Sequence, residues 1–246
     1  MLVDSPRYRS GDLEAWRHLE AADAVYCETA AFLGIVDRAR ARLASWVGAA
    51  PFYGSVSWGK DSTVVAHMIR DLFPAAPLAY VRAEPDGNPD CLAVRDLFLA
   101  AHPGPYYELA PWRAWNSGGD RLWGFGKENY AILNRALGPR RVTGIRAAES
   151  AQRRAYLMIH GGKTENTCAP LIGWKGRDVY AYLFKFGLPV HPAYACNMRG
   201  GLDRDRIRVT PIGGEPGRDR GRHEWERLYY PEVVSRLGQL GVQFRF

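Results

Sequence analysis

No two of the four cysteines in this 246-residue chain are close enough to form a Cys-x-x-Cys pair; Cys27, Cys91, Cys168 and Cys196 are widely scattered. That spacing excludes a local zinc ribbon, a vicinal redox pair and a cluster-binding loop, so buried free thiols are expected. Convergence of all four on an iron–sulfur cluster is the minor alternative. No stretch approaches the roughly 18 consecutive apolar residues of a spanning helix, and residues 1–11 are polar, without the apolar core of a signal peptide. The expectation is a chain with no membrane partner and a cytoplasmic address. Lysine is scarce, with only Lys60, Lys127, Lys163, Lys175 and Lys185 among 33 basic residues. The formal charge of +7 therefore rests on arginine. It fits a nucleic-acid partner, a phosphorylated small substrate or a solvated surface, and alone selects none of them. There is no internal repeat and no low-complexity tract.

What is present is enough hydrophobic (47%) and aromatic (12%) residue content for a substantial core. Residues 13–47 hold apolar side chains at helical intervals (Val25, Phe32, Val36, Leu43) and no proline, which predicts a helical N-terminal segment over 1–48. Phe52 to Val56 then reads as a strand, Ser57-Trp58-Gly59 as a turn and Thr63 to Phe73 as a helix. A second such unit follows, with Leu78 to Val81 as strand, a Pro/Gly turn and Cys91 to Ala101 as helix. Further strands are expected at Tyr106 to Leu109 and Arg141 to Ile145. Trp112 to Gly126 reads as loop, Glu128 to Leu137 as a short helix, and Arg146 to Arg154 as a polar segment. A helix is predicted across Leu171 to Phe186, capped near Gly176 to Asp178. This β–α alternation predicts an α/β domain over 49–190 with a doubly wound, mainly parallel sheet. Residues 191–246 form an irregular basic region, with eight arginines and six acids between Arg199 and Arg227, ending in a helix over Trp225 to Leu240.

A glycine turn between a strand and a helix N-terminus is suited to phosphate, because backbone N–H groups and the helix dipole point at the ligand. Here the turn also carries Ser57, Lys60, Asp61 and Ser62. The hydroxyls and Lys60 suit phosphate oxygens; the carboxylate suits either backbone amides or a recruited Mg²⁺. The Walker A spacing is absent. An ordinary turn with a helix cap at Asp61 or Ser62 is the competing reading.

Three blocks in order resemble the N-type ATP pyrophosphatases, the PP-loop superfamily, in the branch of phosphoadenosine phosphosulfate (PAPS) reductase-like proteins. They are Ser57-Trp58-Gly59-Lys60-Asp61-Ser62, Gly144 to Arg153 (GIRAAESAQR), and Pro170 to Tyr194 with its Leu-Pro-Val-His-Pro-Ala-Tyr ending. The resemblance covers roughly residues 50 to 195. It implies an adenine nucleotide alpha hydrolase-like sheet with ATP, and Mg²⁺ on Asp61, across the carboxyl ends of the strands. By this likeness Ser57, Trp58, Gly59, Lys60, Asp61 and Ser62 hold phosphates, while Val81 and Arg82 lie near the adenosine. Gly144, Arg146 and Arg153 close the far side, Lys60, Asp61, Arg146 and Arg153 being the catalytic set. Glu149, His191 and Cys196 are the substrate-side candidates. For Arg146 and Arg153 the alternative is an ion pair with Glu149 or another acid. His191 either faces the substrate or packs before Pro192.

The implied reaction is adenylation of an acceptor with release of pyrophosphate, in nucleotide or nucleic-acid modification. Reductases resembling this chain carry a Glu-Cys-Gly-Leu-His motif near the C-terminus, and no cysteine follows Cys196 here. A sulfonucleotide reductase or sulfurtransferase component is thus the second expectation. A non-catalytic nucleotide-binding module of a modification or defence complex is the third. Glu84 and Asp86 read as magnesium or substrate ligands or, more simply, as turn formers. Trp112, Trp115 and Trp123 are candidates for base stacking or for core packing. The Arg199 to Arg222 segment suits nucleic acid or a self-paired tail. A homo-oligomer stays open.

Overall fold

The computed structural model describes residues 1–48, 50–82, 84–110, 125–198, 201–213 and 222–240, without the side chains of 125–127. Trp112, Trp115 and Trp123, the side chain of Lys127, and Arg199, Arg218 and Arg220 lie outside the described residues.

The N-terminal stretch folds as two helices rather than one, α1 (Asp12–Tyr26) and α2 (Ala30–Val47). Thr29 takes an extended backbone, and its hydroxyl accepts the Phe32 N–H at 3.2 Å. That side chain supplies a fresh N-cap where neither proline nor glycine marks a break. At its far end α2 is closed by Arg140, whose guanidinium donates to the carbonyls of Trp46, Val47 and Ala50 at 2.6–2.8 Å. A cation on the last carbonyls of a helix satisfies groups the helix leaves orphaned and complements its dipole.

The β–α units follow: β1 (Tyr53–Val56), α3 (Lys60–Leu72), β2 (Leu78–Val81), α4 (Asp90–Ala101), β3 (Tyr106–Leu109), α5 (Phe125–Leu137), β4 (Arg141–Val142), α6 (Ala151–His160), β5 (Thr167–Cys168) and α7 (Gly176–Lys185). Among the described residues the strands form one parallel sheet in the order β3-β2-β1-β4-β5. The alternation along β1 shows how its two faces are covered. Tyr53 and Ser55 point toward α5, with Tyr53 Oη donating to Asn134 at 3.2 Å and Ser55 Oγ 3.4 Å from Tyr130 Oη. Gly54 faces α3, where Ile69, together with Leu78 of the neighbouring β2, leaves no room for a Cβ. Val64, Val65, Met68 and Ile69 on α3 and Val94 and Phe98 on α4 are fully buried in the main core. Helices lie on both sides of the sheet, as period-2 strands buried on each face require.

Several boundaries differ from the sequence expectation. The strand expected over 141–145 pairs only at Arg141 and Val142. The polar segment after it is a 3₁₀ turn, Ala147–Glu149, followed by α6. α7 begins at Gly176 rather than Leu171, where the Asp178 carboxylate accepts the Lys175 N–H at 2.7 Å. The last helix splits into α8 (Arg222–Tyr229) and α9 (Pro231–Gln239), because Pro231 carries no N–H to continue the ladder. Among the described residues no helix is long and apolar enough to cross a membrane.

Candidate functional site

The chain runs from β1 outward to β2 and β3 on one side, then crosses to β4 on the other. The loops leaving β1 and β4 therefore diverge at a topological switch point, the place where open α/β sheets bind ligands. The β1 loop is Ser57-Trp58-Gly59, and α3 starts immediately after it. The β4 loop passes so close that a Cβ on Gly144 would meet the Asp61 carbonyl carbon at 2.9 Å and the Ser62 nitrogen at 3.0 Å. Only glycine permits this backbone-to-backbone approach.

The loop is internally tied. Ser62 Oγ accepts the Ser57 N–H at 3.1 Å and donates to the Gly59 carbonyl at 3.0 Å. Thr63 Oγ1 donates to the same carbonyl at 3.1 Å. Trp58 sits at φ 59°, a left-handed backbone that a bulky residue adopts only when its surroundings enforce it. The enforcement is visible: its indole is fully buried, with ring centroids 5.4 Å from Phe98 and 6.0 Å from Tyr106. Trp58 is thus a core anchor for the turn, and its ring faces the α4 side rather than the loop mouth.

Above the turn lies a cluster of four charges. Lys60 is buried, with Nζ 3.1 Å from Asp61 Oδ2 and 3.4 Å from Asp205 Oδ1. Its ammonium also stands 5.1 Å from the Tyr194 ring, and its backbone N–H donates to Tyr194 Oη at 3.0 Å. The Arg146 side chain is fully buried, with Nε 2.5 Å from Asp61 Oδ1 and Nη2 2.7 Å from Asp205 Oδ1. Burial works against charge on both cations. The Tyr194 and Asp61 neighbours of Lys60, and the Asp61 and Asp205 neighbours of Arg146, outweigh it and hold both pKa values above their ordinary range. Burial likewise opposes charge on Asp205, yet Lys60 and Arg146 hold its carboxyl below the usual range. Among the described residues Arg146 Nη1 is buried with no hydrogen-bond partner.

Asp205 was not a sequence candidate. It lies 145 positions from Lys60, in an Asp-Arg-Asp-Arg run that reads as a self-paired tail, and no local signal distinguishes it from Asp203. Tyr194 belongs to the third motif, but its contact with Lys60 is equally non-local.

The other candidates disperse. Arg153 is 40% exposed and ion-paired with Glu149, whose carboxylate also accepts the Arg146 N–H at 3.1 Å. The Glu149 pairing thus takes Arg153, whereas the Arg146 guanidinium turns inward. Ser57 is exposed and Val81 half-buried. Arg82 spans Glu84 at 2.9 Å and Glu108 at 3.2 Å, and Asp86 is fully buried. Magnesium does not fit Asp61 as arranged, because both carboxylate oxygens face cations. Among the described residues no group of three or more His, Cys, Asp or Glu side chains is placed to hold a metal ion.

Cys196 is fully buried, and burial first, then Asp12 and Asp90, pushes its thiol far above the ordinary range. Cys27, Cys91 and Cys168 are also buried free thiols, those of Cys91 and Cys168 pushed up to about 12 by burial. The acidic-arginine tail pairs within itself at Arg222 and Glu226, whereas Arg204 reaches outside it to Asp23 of α1.

His191 is buried, its Nδ1 accepting the Ala193 N–H at 3.1 Å and so capping the turn that presents Tyr194. Burial, helped by the Arg7 charge, lowers its pKa from 6.5 to about 3. As pH falls the unfolded chain takes up this proton first, so the contribution is complete above pH 6.5 and is lost toward pH 3. The urea midpoint is expected to fall between pH 6.5 and 4, with up to about 1.4 kcal/mol per pH unit from His191. His67, depressed to about 4 mainly by burial, acts in the same window. A His191→Asn variant should show a flatter profile; an unchanged slope would count against the assignment.

No family model matches the chain. Curated sequence relatives do, and three are named phosphoadenosine 5'-phosphosulfate reductase. The Synechococcus sp. protein is 33% identical over 66 residues, 25% of this chain and 28% of that protein. The Xylella fastidiosa protein is 24% identical over 160 residues, 57% of this chain and 65% of the relative. The Shewanella oneidensis protein is 28% identical over 157 residues, 57% and 63% respectively. The chain spans less than two thirds of the length of each. Similar solved structures include the PAPS reductase from Candida auris in a phosphate complex, at 16% identity and TM-score 0.44, covering 71% of this chain and 88% of that one. Another is the NMN synthetase from Francisella tularensis, at 9% identity and TM-score 0.43, covering 87% and 95%.

Proposed function

The chain belongs to a PAPS reductase-like PP-loop family, and on that premise we propose that it binds ATP at the β1–α3 loop and adenylates an acceptor. The observation that carries this reading is the pairing of the buried Lys60 ammonium with the buried Arg146 guanidinium at the β1/β4 switch point. Two cations beside a helix N-terminus suit a polyphosphate, whose charge they offset in a site of low dielectric. In the reaction an acceptor oxygen attacks the α-phosphorus and the bond to the bridging oxygen breaks, so that AMP passes to the acceptor and pyrophosphate leaves. Lys60 and Arg146 stabilise charge on the departing pyrophosphate. Gly144 lets the Arg146 loop lie against α3 closely enough for both cations to act on one ligand.

The names of the sequence relatives favour a second reading, reduction of a sulfonucleotide. That chemistry needs a thiolate nucleophile, and the four cysteines of this chain are buried, with burial pushing each thiol above its ordinary range and away from thiolate. Pyrophosphate release from ATP, measured with a panel of nucleotide, carboxylate and nucleic-acid acceptors, separates the readings. Release is expected, with Lys60→Ala slower by about 100-fold or more. Tight ATP binding with no release over the panel would favour a nucleotide-binding module, and sulfite formation from PAPS would favour the reductase.

A further inference from the structure

The Asp205 carboxylate lies where an anion would be drawn. Oδ1 bridges Arg146 Nη2 at 2.7 Å and Lys60 Nζ at 3.4 Å. The carboxyl group rests on the first residue of α7, where a Cβ on Gly176 would collide with its Cγ.

The backbone on either side is fixed. Arg204 donates to both carboxylate oxygens of Asp23 at 2.7–2.8 Å and lies 3.9 Å over the Tyr180 ring. Its carbonyl accepts from Tyr180 Oη at 2.8 Å, and the Asp205 N–H donates to Asp203 Oδ1 at 2.9 Å. The Asp205 side chain is 31% exposed, so rotation about its Cα–Cβ bond carries the carboxylate into solvent while the clamped backbone stays in place. The cations it would leave are buried, and one guanidinium nitrogen already lacks a partner among the described residues.

Resting on the nucleotide reading above, we infer that Asp205 is an exchangeable internal stand-in for a nucleotide phosphate. Without a ligand it compensates two buried cations whose exposure to an apolar interior would otherwise be costly. On binding, a phosphate takes over both contacts and the carboxylate swings out. A stand-in seated in nine-tenths or more of molecules lowers apparent ligand affinity about tenfold or more.

Two variants test this by different routes. Asp205→Asn removes the charge, whereas Gly176→Ala leaves every charge in place and fills the space on which the carboxyl group rests. Gly176 has no left-handed backbone, so alanine is conformationally acceptable there. Calorimetric titration with inorganic pyrophosphate and with ATP is expected to show both variants binding at least about tenfold more tightly than the unmodified chain. Binding by the unmodified chain that is equal or weaker in the variants overturns the stand-in and makes Asp205 a structural or ligand-holding residue, with the nucleotide reading intact. Absence of binding in all three proteins overturns the nucleotide reading and the stand-in together.

Discussion

Arg146→Met is expected to abolish pyrophosphate and ATP binding and to destabilise the fold by about 3–5 kcal/mol. The side chain has no exposure, and its two charged partners, Asp61 and Asp205, are themselves only 16% and 31% exposed. Removing the guanidinium leaves two carboxylates to share the single ammonium of Lys60. An uncompensated buried charge costs more than the original pair contributed, which is why the expected loss exceeds that of a surface bridge. Urea titration gives the stability term, and calorimetry with pyrophosphate gives the binding term. Arg146→Lys adds a sharper comparison. A lysine restores the charge but cannot reach both carboxylates with a planar fork, so partial recovery of stability without recovery of binding is expected. A methionine variant that binds pyrophosphate as the unmodified chain does would remove Arg146 from the site.

Trp58→Ala is expected to cost about 3–5 kcal/mol, the largest packing effect in the loop. The ring fills the space between Phe98 and Tyr106 and holds its own residue in a left-handed conformation. Alanine leaves a cavity and also loses the packing that enforces that backbone. Trp58→Phe, which keeps an aromatic ring there, should lose less. Denaturant midpoints for the two variants order the effects, and pyrophosphate affinity per folded molecule should be nearly unchanged in Trp58→Phe. If instead Trp58 stacks on a nucleotide base, Trp58→Ala would keep its stability and lose ATP while retaining pyrophosphate binding.

The readable parts of this fold are those whose signals are local. The β1–loop–α3 unit is marked by a short apolar strand, a glycine turn and the apolar spacing Val64, Val65, Met68, Ile69, all within twenty residues. β3 occupies Tyr106–Leu109, the predicted residues. β5 is only Thr167–Cys168, too short for any alternation to register, and it exists because β4 offers an edge. The break between α1 and α2 depends on one threonine hydroxyl among residues that all tolerate a helix. In the site, Lys60, Asp61 and Arg146 come from motifs, and the structure brings them together. Asp205 and Tyr194 join them through contacts spanning 145 and 134 positions, which no window along the chain can register. Arg153 sits in the same motif as Arg146, but helical geometry puts it one turn beyond Glu149, where an i,i+4 ion pair forms.

The clamp between Asp23 and Arg204 joins residues 181 positions apart, one residue short of the carboxylate over the loop. The first helix therefore works as a mooring for the polar roof of the site. Cutting the line by Asp23→Ala would let that roof drift, and the change would reach the β1–α3 loop from a residue 181 positions away from the clamp's other end.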